Sequence, residues 1–309
     1  MAYETQRMSL AVAPEGRDTG RDARRAMLFR ESMLGMAERW VLGTAWGLMP
    51  SRIAGVPNLL RLSLRELLAP DYALPDPEQA LTQPPGLAGI VHDMSTPTLL
   101  AAYRRGLYPF AHIGPLKWWS PPERSVLDFN NLHIAKRLRR QMRQGEYSVT
   151  FDRDFEGVIA GCAGNRAGRW HLTWITPKIM RAYAALFDLG HAHSFEVWNA
   201  RGELVGGGYG VAVGASFVTE SQFSREPNSS KIGFVVFNWH LARWGFAFND
   251  GKLMTPTCRD MGFREIPRGD FLARLREAGR APARIGRWQV EADVAAVADW
   301  RPEAGEPRS

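Results

Sequence analysis

The first quarter of the chain carries apolar side chains with the period of a helix. Between residues 21 and 49, apolar side chains recur at intervals of three or four residues, at Phe29, Met33, Met36 and Trp40. This spacing places the four side chains on one face of a helix. The pattern therefore predicts helical structure over 21–49, with an apolar face and a charged face.

A second amphipathic segment follows at Leu59–Leu68, where leucines alternate with Arg61, Arg65 and Glu66. Two interpretations of residues 21–68 are open. The helices can pack against the body of the protein. They can also lie on a membrane surface, because an apolar face with basic flanks suits that interface.

Beyond residue 87 the apolar pattern changes to short strands and helices in alternation. Ser95 is a suitable N-cap for a helix that Gly106 ends. The turn Ala200-Arg201-Gly202 lies between two apolar runs and predicts a hairpin. Strands flanked by helices, with hairpins among them, predict a mixed α/β sheet. The predicted helices are 96–105, 133–143, 154–162, 177–189 and 231–244, and the predicted strands are 147–151, 193–199, 204–213, 215–219 and 246–249.

The composition of the chain points to an anionic partner. The formal net charge is +7 and the isoelectric point is about 9.7, so nucleic acid and anionic membranes both qualify. Residues 1–20 are mostly polar and predict a disordered arm, not a secretory signal. The apolar run 40–50 is far shorter than the roughly 20 residues that a bilayer span needs. Cys162 and Cys258 are distant in sequence and fit a reducing compartment, so we expect a cytoplasmic protein.

Missing motifs exclude several kinds of site. The sequence has no glycine-rich phosphate loop of either common kind, no His-Glu-x-x-His and no Gly-x-Ser-x-Gly. The histidines form no cluster with metal-ligand spacing, so no metal site is predicted. Three stretches instead combine polar groups with aromatic rings: residues 117–121, 173–177 and 219–231. Their rings can be core anchors, or they can be platforms on which a base or an aminoacyl group stacks.

These stretches belong to a longer series of sequence blocks between Leu87 and about Leu275. The blocks include Leu99-Leu100-Ala101-Ala102-Tyr103-Arg104-Arg105-Gly106, Trp118-Trp119-Ser120-Pro121, Thr173-Trp174-Ile175-Thr176, Glu203-Leu204-Val205-Gly206-Gly207, Glu220-Ser221, Phe223-Ser224-Arg225 and Arg264-Glu265-Ile266-Pro267-Arg268. In this order they resemble the leucyl/phenylalanyl-tRNA–protein transferase family. The resemblance is specific because so many dispersed blocks occur in the same order as in the family.

The resemblance implies a fold and a domain organisation. The expected fold class is mixed α/β, with a sheet like that of the acetyltransferases (GNAT) and flanking helices. An N-terminal extension (1–84), which ends in a proline-rich linker, precedes a small N-terminal domain (85–130). The GNAT-like catalytic domain (131–275) follows, and a C-terminal tail (276–309) without clear periodicity ends the chain. The resemblance implies a protein that uses no metal and no cofactor beyond the aminoacyl-tRNA co-substrate. We expect a monomer.

The family also implies three functional regions. An apolar pocket holds the Leu or Phe side chain of the donor, a basic patch holds the tRNA, and acidic residues meet an acceptor protein whose first residue is Arg or Lys. The catalytic candidates are Asp250, Lys252 and Glu220. The candidates for the donor and acceptor pocket are Phe110, Trp119, Trp174, Gly208, Phe217, Gln222 and Ser224. The tRNA-binding candidates are Lys136, Arg137, Arg139, Arg140 and Arg143, whose charges could engage several phosphates.

Several of these positions depart from the family pattern. Asp250-Gly251-Lys252 stands where the family has Asp-Cys-Gln, and Phe110 stands in place of a tryptophan. Gly208 and Gln222 take the places of methionine or leucine in the donor pocket, which predicts a larger and more polar pocket. Residues 250 and 252 alternate along a strand, so their side chains can pair or can both line the acceptor pocket.

The departures leave three functions open. The first is aminoacyl transfer from tRNA to a protein N-terminus, in the N-degron pathway of protein degradation. The second is acyl or aminoacyl transfer to a different acceptor, such as a membrane lipid or a small amine. The third is tRNA binding without catalysis, since a fold does not fix a function.

Overall fold

A computed structural model describes residues 19–49, 54–68, 72–111, 114–164 and 172–301. Most of the predicted disordered arm lies outside these residues. The helices are α1 (Thr19–Leu28), α2 (Met33–Gly47), α3 (Val56–Leu68), α4 (Thr96–Arg104), α5 (Lys136–Arg143), α6 (Phe155–Ala163), α7 (Pro177–Asp188), α8 (Ser229–Arg243), α9 (Pro256–Asp260), α10 (Arg268–Ala278) and α11 (Val294–Ala298). The strands are β1 (Leu87–Ile90), β2 (Tyr108–Phe110), β3 (Lys117–Trp119), β4 (Glu123–Leu127), β5 (Tyr147–Phe151), β6 (Ala192–Asn199), β7 (Leu204–Val213), β8 (Ser216–Ser224), β9 (Phe248–Lys252) and β10 (Arg264–Pro267).

A seven-stranded sheet forms the centre of the molecule. Its strand order is β10-β4-β9-β8-β7-β6-β5, and every neighbouring pair is antiparallel except β8 and β9. The parallel pair requires a crossover connection, which α8 provides. The prediction of a mixed α/β fold with a multi-stranded sheet and flanking helices is confirmed.

The sheet has an apolar cluster on each face. Along β7, Tyr209 and Val211 belong to one cluster and Ala212 to the other, as expected because successive strand residues point to opposite faces. Helices α4, α6 and α7 pack in the first cluster, and α5, α8 and α11 in the second. Local capping fixes α6, because the Asp154 carboxylate accepts a hydrogen bond from the Gly157 amide at 3.0 Å.

A second, three-stranded sheet has the order β1-β3-β2. Its strands are antiparallel, and Trp119 on β3 pairs with Tyr108 on β2. The Trp119 indole Nε1 donates a hydrogen bond to the Phe110 carbonyl at 2.9 Å. This bond ties β2 to β3 and positions the aromatic residues of β2.

The predicted helical face at residues 29–40 is interrupted by a break between two helices, and Phe29 lies in that break. The chain leaves α1 at Leu28 and starts α2 after Ser32, whose hydroxyl accepts a hydrogen bond from the Gly35 amide at 2.9 Å. Phe29 is 1% exposed and belongs to the core, whereas Met33 and Trp40 are 80% and 53% exposed. Packing against the body is therefore confirmed for Phe29 and is wrong for the rest of that face.

The predicted tail contributes to the core. Trp288 is buried, and its ring stacks on His193 with centroids 3.5 Å apart. The Asp152 carboxylate accepts hydrogen bonds at 2.8 Å from the Trp288 amide, from the Ser194 amide and from Nδ1 of His193. Burial lowers the pKa of His193, although the contact with Asp152 opposes this. Helix α11 shows that regular structure returns after residue 275.

The large sheet also includes β4, from the segment predicted as the small N-terminal domain. The division at residues 84, 130 and 275 stays a prediction. Within the described residues, no helix is both long enough and apolar enough to cross a membrane.

Candidate active site

An open cleft lies where β8, the end of β9, the start of α8 and α9 meet. Its volume is about 760 Å³. Of the predicted site residues, the cleft brings together Glu220, Gln222, Ser224 and Lys252. The residues that the sequence did not single out as pocket residues include Phe234, Cys258, Met261 and Phe263, which form an apolar wall. Phe234 lies on α8 and Cys258 on α9, while Met261 and Phe263 follow α9. Apolar residues in and beside helices normally mark a core face, so they carried no signal.

Glu220 enters the cleft through an irregularity in β8. The pairing shifts from Tyr209 opposite Ser221 to Gly210 opposite Thr219, which leaves Glu220 as an additional residue in the strand. Such a bulge redirects side chains and is common beside active sites. The Glu220 side chain has no solvent-exposed surface.

Lys252 is the ionic partner of Glu220. Its Nζ donates hydrogen bonds to Oε2 of Glu220 at 2.8 Å and to the Glu220 carbonyl at 3.1 Å. The same ammonium lies over the rings of Tyr108 and Trp174, at 5.3 and 5.5 Å from their centroids. Of the two alternatives for residues 250 and 252, the pairing of their side chains is wrong. At residue 252 the backbone has φ 66°, so the regular alternation of strand side chains does not hold there.

Asp250 instead pairs with Arg124, a residue that the sequence did not reveal. Arg124 donates to the two carboxylate oxygens at 2.8 and 2.7 Å, and both side chains are buried. The guanidinium lies between the rings of Tyr108 and Phe271, at 4.9 and 4.4 Å. Burial is the largest single influence and acts to lower the pKa of Arg124, but the charge and hydrogen bonds of Asp250, together with the charge of Glu220, raise the pKa overall. No local signal marks Arg124, since its partner lies on another strand of the sheet.

Asp250 therefore has no surface open to the cleft, and its carboxylate also accepts a hydrogen bond from the Lys252 amide at 2.8 Å. These contacts suit a residue that positions its neighbours. The assignment of Asp250, Lys252 and Glu220 as catalytic stays a prediction.

A group of buried tyrosines lies behind Glu220. The Tyr103 hydroxyl donates to Oε1 of Glu220 at 2.8 Å and also contacts the Tyr183 hydroxyl. The Tyr209 hydroxyl has no hydrogen-bond partner within the described residues. Burial, followed by the charge of Glu220, raises the pKa of all three phenols. The phenols therefore stay protonated, and Tyr103 stays available as a donor to Glu220.

Aromatic residues form the wall beside Lys252. Phe110 and Trp174 are half-buried, and their rings pack with centroids 5.6 Å apart. Of the two predicted residues, Trp174 lies beside the cation, and Phe110 packs against Trp174. Tyr108, which the sequence did not single out, also lies beside the cation. The Trp119 indole donates a hydrogen bond to the Phe110 carbonyl and so holds Phe110 in place beside Trp174.

The structure corrects the predicted enlargement at Gly208. A Cβ atom there would lie 2.7 Å from the ring of Phe195 and 2.7 Å from Cγ of Gln222. The space that a larger side chain would take is thus filled by its neighbours. Gln222 lies in the cleft beside this position.

Phe217 belongs to the core and not to the cleft. It is 2% exposed, and its ring contacts Phe237 at 4.8 Å between centroids. Ser224 does line the cleft, and its hydroxyl accepts a hydrogen bond from the Ser230 amide at the start of α8.

The predicted tRNA-binding cations all lie on α5 but have different surroundings. Lys136, Arg137 and Arg140 are exposed. Arg139 donates to the carbonyls of Ala298 and Trp300, both at 2.7 Å. Arg143 pairs with Asp299 at the surface. Binding of RNA by this helix stays a prediction, and Arg139 already has a role in holding the tail.

Across the described part of the chain, no group of three histidine, cysteine, aspartate or glutamate side chains could hold a metal ion. The site is instead built from two ion pairs, an aromatic wall and an apolar wall. The protein is thus a mixed α/β protein with a cleft that presents polar and apolar groups together.

Comparison with known proteins identifies the family to which this chain belongs. Residues 126–276 match the model of the leucyl/phenylalanyl-tRNA protein transferase, and residues 92–122 match the model of its N-terminal domain. The chain belongs to the leucyl/phenylalanyl-tRNA–protein transferase family, whose members are aminoacyltransferases.

Curated relatives agree with this result. The leucyl/phenylalanyl-tRNA–protein transferase of Alkalilimnicola ehrlichii is 43% identical over 230 residues, which are 74% of this chain and 89% of the relative. The transferase of Azotobacter vinelandii is 45% identical over 200 residues, which are 64% of this chain and 88% of that relative. Among solved structures, L-PGS from Bacillus licheniformis has 9% identity over 52% of each chain and a TM-score of 0.29, too low for any inference.

Proposed function

We propose that this protein transfers Leu or Phe from an aminoacyl-tRNA to the amino terminus of an acceptor protein. The relation to the family carries this proposal, because the matched residues 126–276 include every residue that lines the cleft. The chain also spans nearly nine-tenths of the A. ehrlichii relative. The family further implies acceptors that begin with Arg or Lys.

The proposed step is an aminolysis of an ester. The α-amino nitrogen of the acceptor attacks the carbonyl carbon of the aminoacyl ester, and a C–N bond forms. The bond between that carbon and the ribose oxygen of the tRNA breaks, and the proton lost by the amine ends on the ribose hydroxyl. The ester is already activated, so alignment of amine and ester can supply several kcal/mol of the barrier reduction.

Each wall of the site has a role in this step. The apolar wall of Phe234, Met261 and Phe263 suits a Leu or Phe side chain of the donor. Glu220 and the aromatic wall lie on the other side, where an acceptor could be held. Helix α5 supplies exposed cations that suit tRNA phosphates.

The proposal includes a GNAT-like arrangement of the catalytic domain. The parallel pair β8–β9 in an otherwise antiparallel sheet supports it. The reaction needs no cofactor beyond the aminoacyl-tRNA, since the ester supplies the activated carbonyl. Because charged tRNA is a cytoplasmic reagent, the reaction belongs in the cytoplasm.

The test incubates the protein with radiolabelled Leu-, Phe- and Val-tRNA and peptides that differ only in their first residue. Transfer of Leu or Phe to a peptide amine supports the proposal. Binding of tRNA without any transfer would indicate a non-catalytic tRNA-binding protein. Transfer into a lipid extract but not into peptides would assign a different acceptor.

Exposed apolar residues favour a second role, contact with an anionic membrane surface. Leu60, Leu64 and Leu67 lie on one stripe of α3 and are exposed, with Arg61 and Arg65 beside them. Helix α2 is apolar around most of its circumference and is also largely exposed. A helix of this kind is normally covered. The adjacent arginines favour anionic lipid over a second copy of this basic chain.

Vesicle flotation tests this second role. The protein should float with vesicles containing phosphatidylglycerol and stay behind with vesicles of phosphatidylcholine alone. Leu64→Glu with Leu67→Glu should abolish flotation without changing peptide transfer. Concentration-dependent dimerisation that the same substitutions abolish would assign the surface to a second copy instead.

A further inference from the structure

The surroundings of the Lys252 ammonium form a cage for a cation. One side is the Glu220 carboxylate, 2.8 Å away, and the other is the pair of rings from Tyr108 and Trp174. A carboxylate with aromatic faces is the chemistry by which proteins recognise ammonium and guanidinium groups. In this chain the cage already contains a cation, and that cation is covalently part of the protein.

The occupant of the cage is held firmly. Lys252 adopts a left-handed backbone, and its amide donates to Asp250 at 2.8 Å. Asp250 in turn is fixed by two hydrogen bonds from Arg124. Only 13% of the Lys252 side chain is exposed. The backbone therefore aims this side chain at Glu220.

The charge of Glu220 is already balanced by Lys252. One carboxylate oxygen accepts from Lys252 and the other from the Tyr103 hydroxyl. The formal charges of Glu220, Lys252, Asp250 and Arg124 add to zero. With a neutral side chain at residue 252, the same group would carry one negative charge and would attract a cationic acceptor.

We propose that Lys252 acts as a built-in occupant of the acceptor's cation site, so that the accepted N-terminal residue is uncharged. The inference rests on the proposed aminoacyl transfer. It changes the substrate class that the family relation implies, because an Arg or Lys side chain would have to displace Lys252 from Glu220. An uncharged side chain can lie against Trp174 without that displacement.

A matched pair of peptides tests the inference on the wild-type protein. The peptides begin with arginine or with citrulline, which has nearly the same shape and no charge. With the wild type, transfer to the citrulline peptide should exceed transfer to the arginine peptide by about tenfold, because the cation meets an occupied cage. Equal transfer, or faster transfer to arginine, overturns the inference while the proposed function stands.

The variant Lys252→Gln should reverse this preference, with arginine favoured by about tenfold, because the emptied cage keeps its carboxylate and rings. Lys231→Gln is the matched control, since Lys231 lines the same cleft and loses the same charge. Its ratio of citrulline to arginine transfer should stay near that of the wild type. An equal change of the transfer ratio in both variants would assign the effect to the charge of the whole cleft. It would overturn the inference that Lys252 occupies the cation site.

Thermal melting shows whether the Lys252→Gln variant is folded. If the variant does not fold, the ratio of citrulline-peptide to arginine-peptide transfer by the wild-type protein decides the inference. Failure of transfer to every peptide, with Leu- and Phe-tRNA supplied, overturns the proposed function and this inference together. The two proposals are thus distinguished by the same assay.

Discussion

The helices α1 and α5 are both rich in arginine, but their arginines have different surroundings. On α1, Arg25 donates to Glu156 at 2.9 Å and to Asp188 at 2.6 Å, and Arg24 pairs with Asp154 at 2.7 Å. These carboxylates belong to the body of the protein. On α5, by contrast, four basic side chains are exposed to solvent: Lys136, Arg137, Arg140 and Arg143.

The difference shows that a basic helix can serve either to dock a segment or to face a partner. Complementary carboxylates at the ends of α6 and α7 decide the first case. In the second case, Arg143 pairs with the exposed Asp299, whereas Lys136, Arg137 and Arg140 form no ion pair with any described residue. Four predictions separate the docking helix from the surface helix.

The largest effect should follow Phe29→Ala at the end of α1. The ring is 1% exposed in the core, so its loss should lower the free energy of unfolding by about 3–5 kcal/mol. Met33→Ala, four residues later and 80% exposed, should change it by less than about 0.5 kcal/mol. Chemical denaturation measures both. Equal effects would mean that α1 is not anchored through Phe29.

A smaller loss of stability should follow Arg139→Ala on α5. This change removes the donors to the Ala298 and Trp300 carbonyls, which should cost about 1–3 kcal/mol. The salt dependence of tRNA binding should stay unchanged. A weaker tRNA complex at unchanged stability would show that Arg139 faces the RNA.

The double change Arg137→Glu with Arg140→Glu should act on the partner and not on the fold. We expect tRNA affinity to fall about tenfold or more, and the slope of log K against log salt to flatten by roughly 2. The free energy of unfolding should move by less than about 0.5 kcal/mol. An unchanged slope would place the RNA on another surface.

The smallest effect should follow Arg24→Ala on α1. The pair with Asp154 is partly exposed at the arginine, so its loss should cost only about 0–1 kcal/mol. The unfolding midpoint in denaturant measures it. A loss as large as that from Phe29→Ala would indicate that ion pairs, and not the buried ring, hold α1.

The sequence predicted the regular parts of the fold well. Strands β5, β6 and β7 and helices α4, α7 and α8 follow clear periodicity and turn residues, and all appear near the predicted bounds. Strands β4 and β10 were not predicted. Each is short, and what defines it is its partner: β4 pairs with β9 and with β10, from distant parts of the chain.

The site was predicted as a set of residues but not as a set of contacts. The family blocks placed Glu220 and Lys252 correctly in one cleft. Their mutual pairing depends on the bulge at Glu220 and on the left-handed backbone at Lys252, and neither follows from strand alternation. Arg124 could not be found at all, because its importance arises only where β4 meets β9.

The burial of Trp288 joins parts of the protein that are distant in sequence. Its ring stacks on His193, and its amide donates to the Asp152 carboxylate 136 residues earlier in the chain. Contacts of such long range carry a large loop-closure entropy, so this face of the core closes late in folding. Without these contacts the buried Asp152 carboxylate loses a hydrogen-bond donor, and this face of the core loses its largest ring.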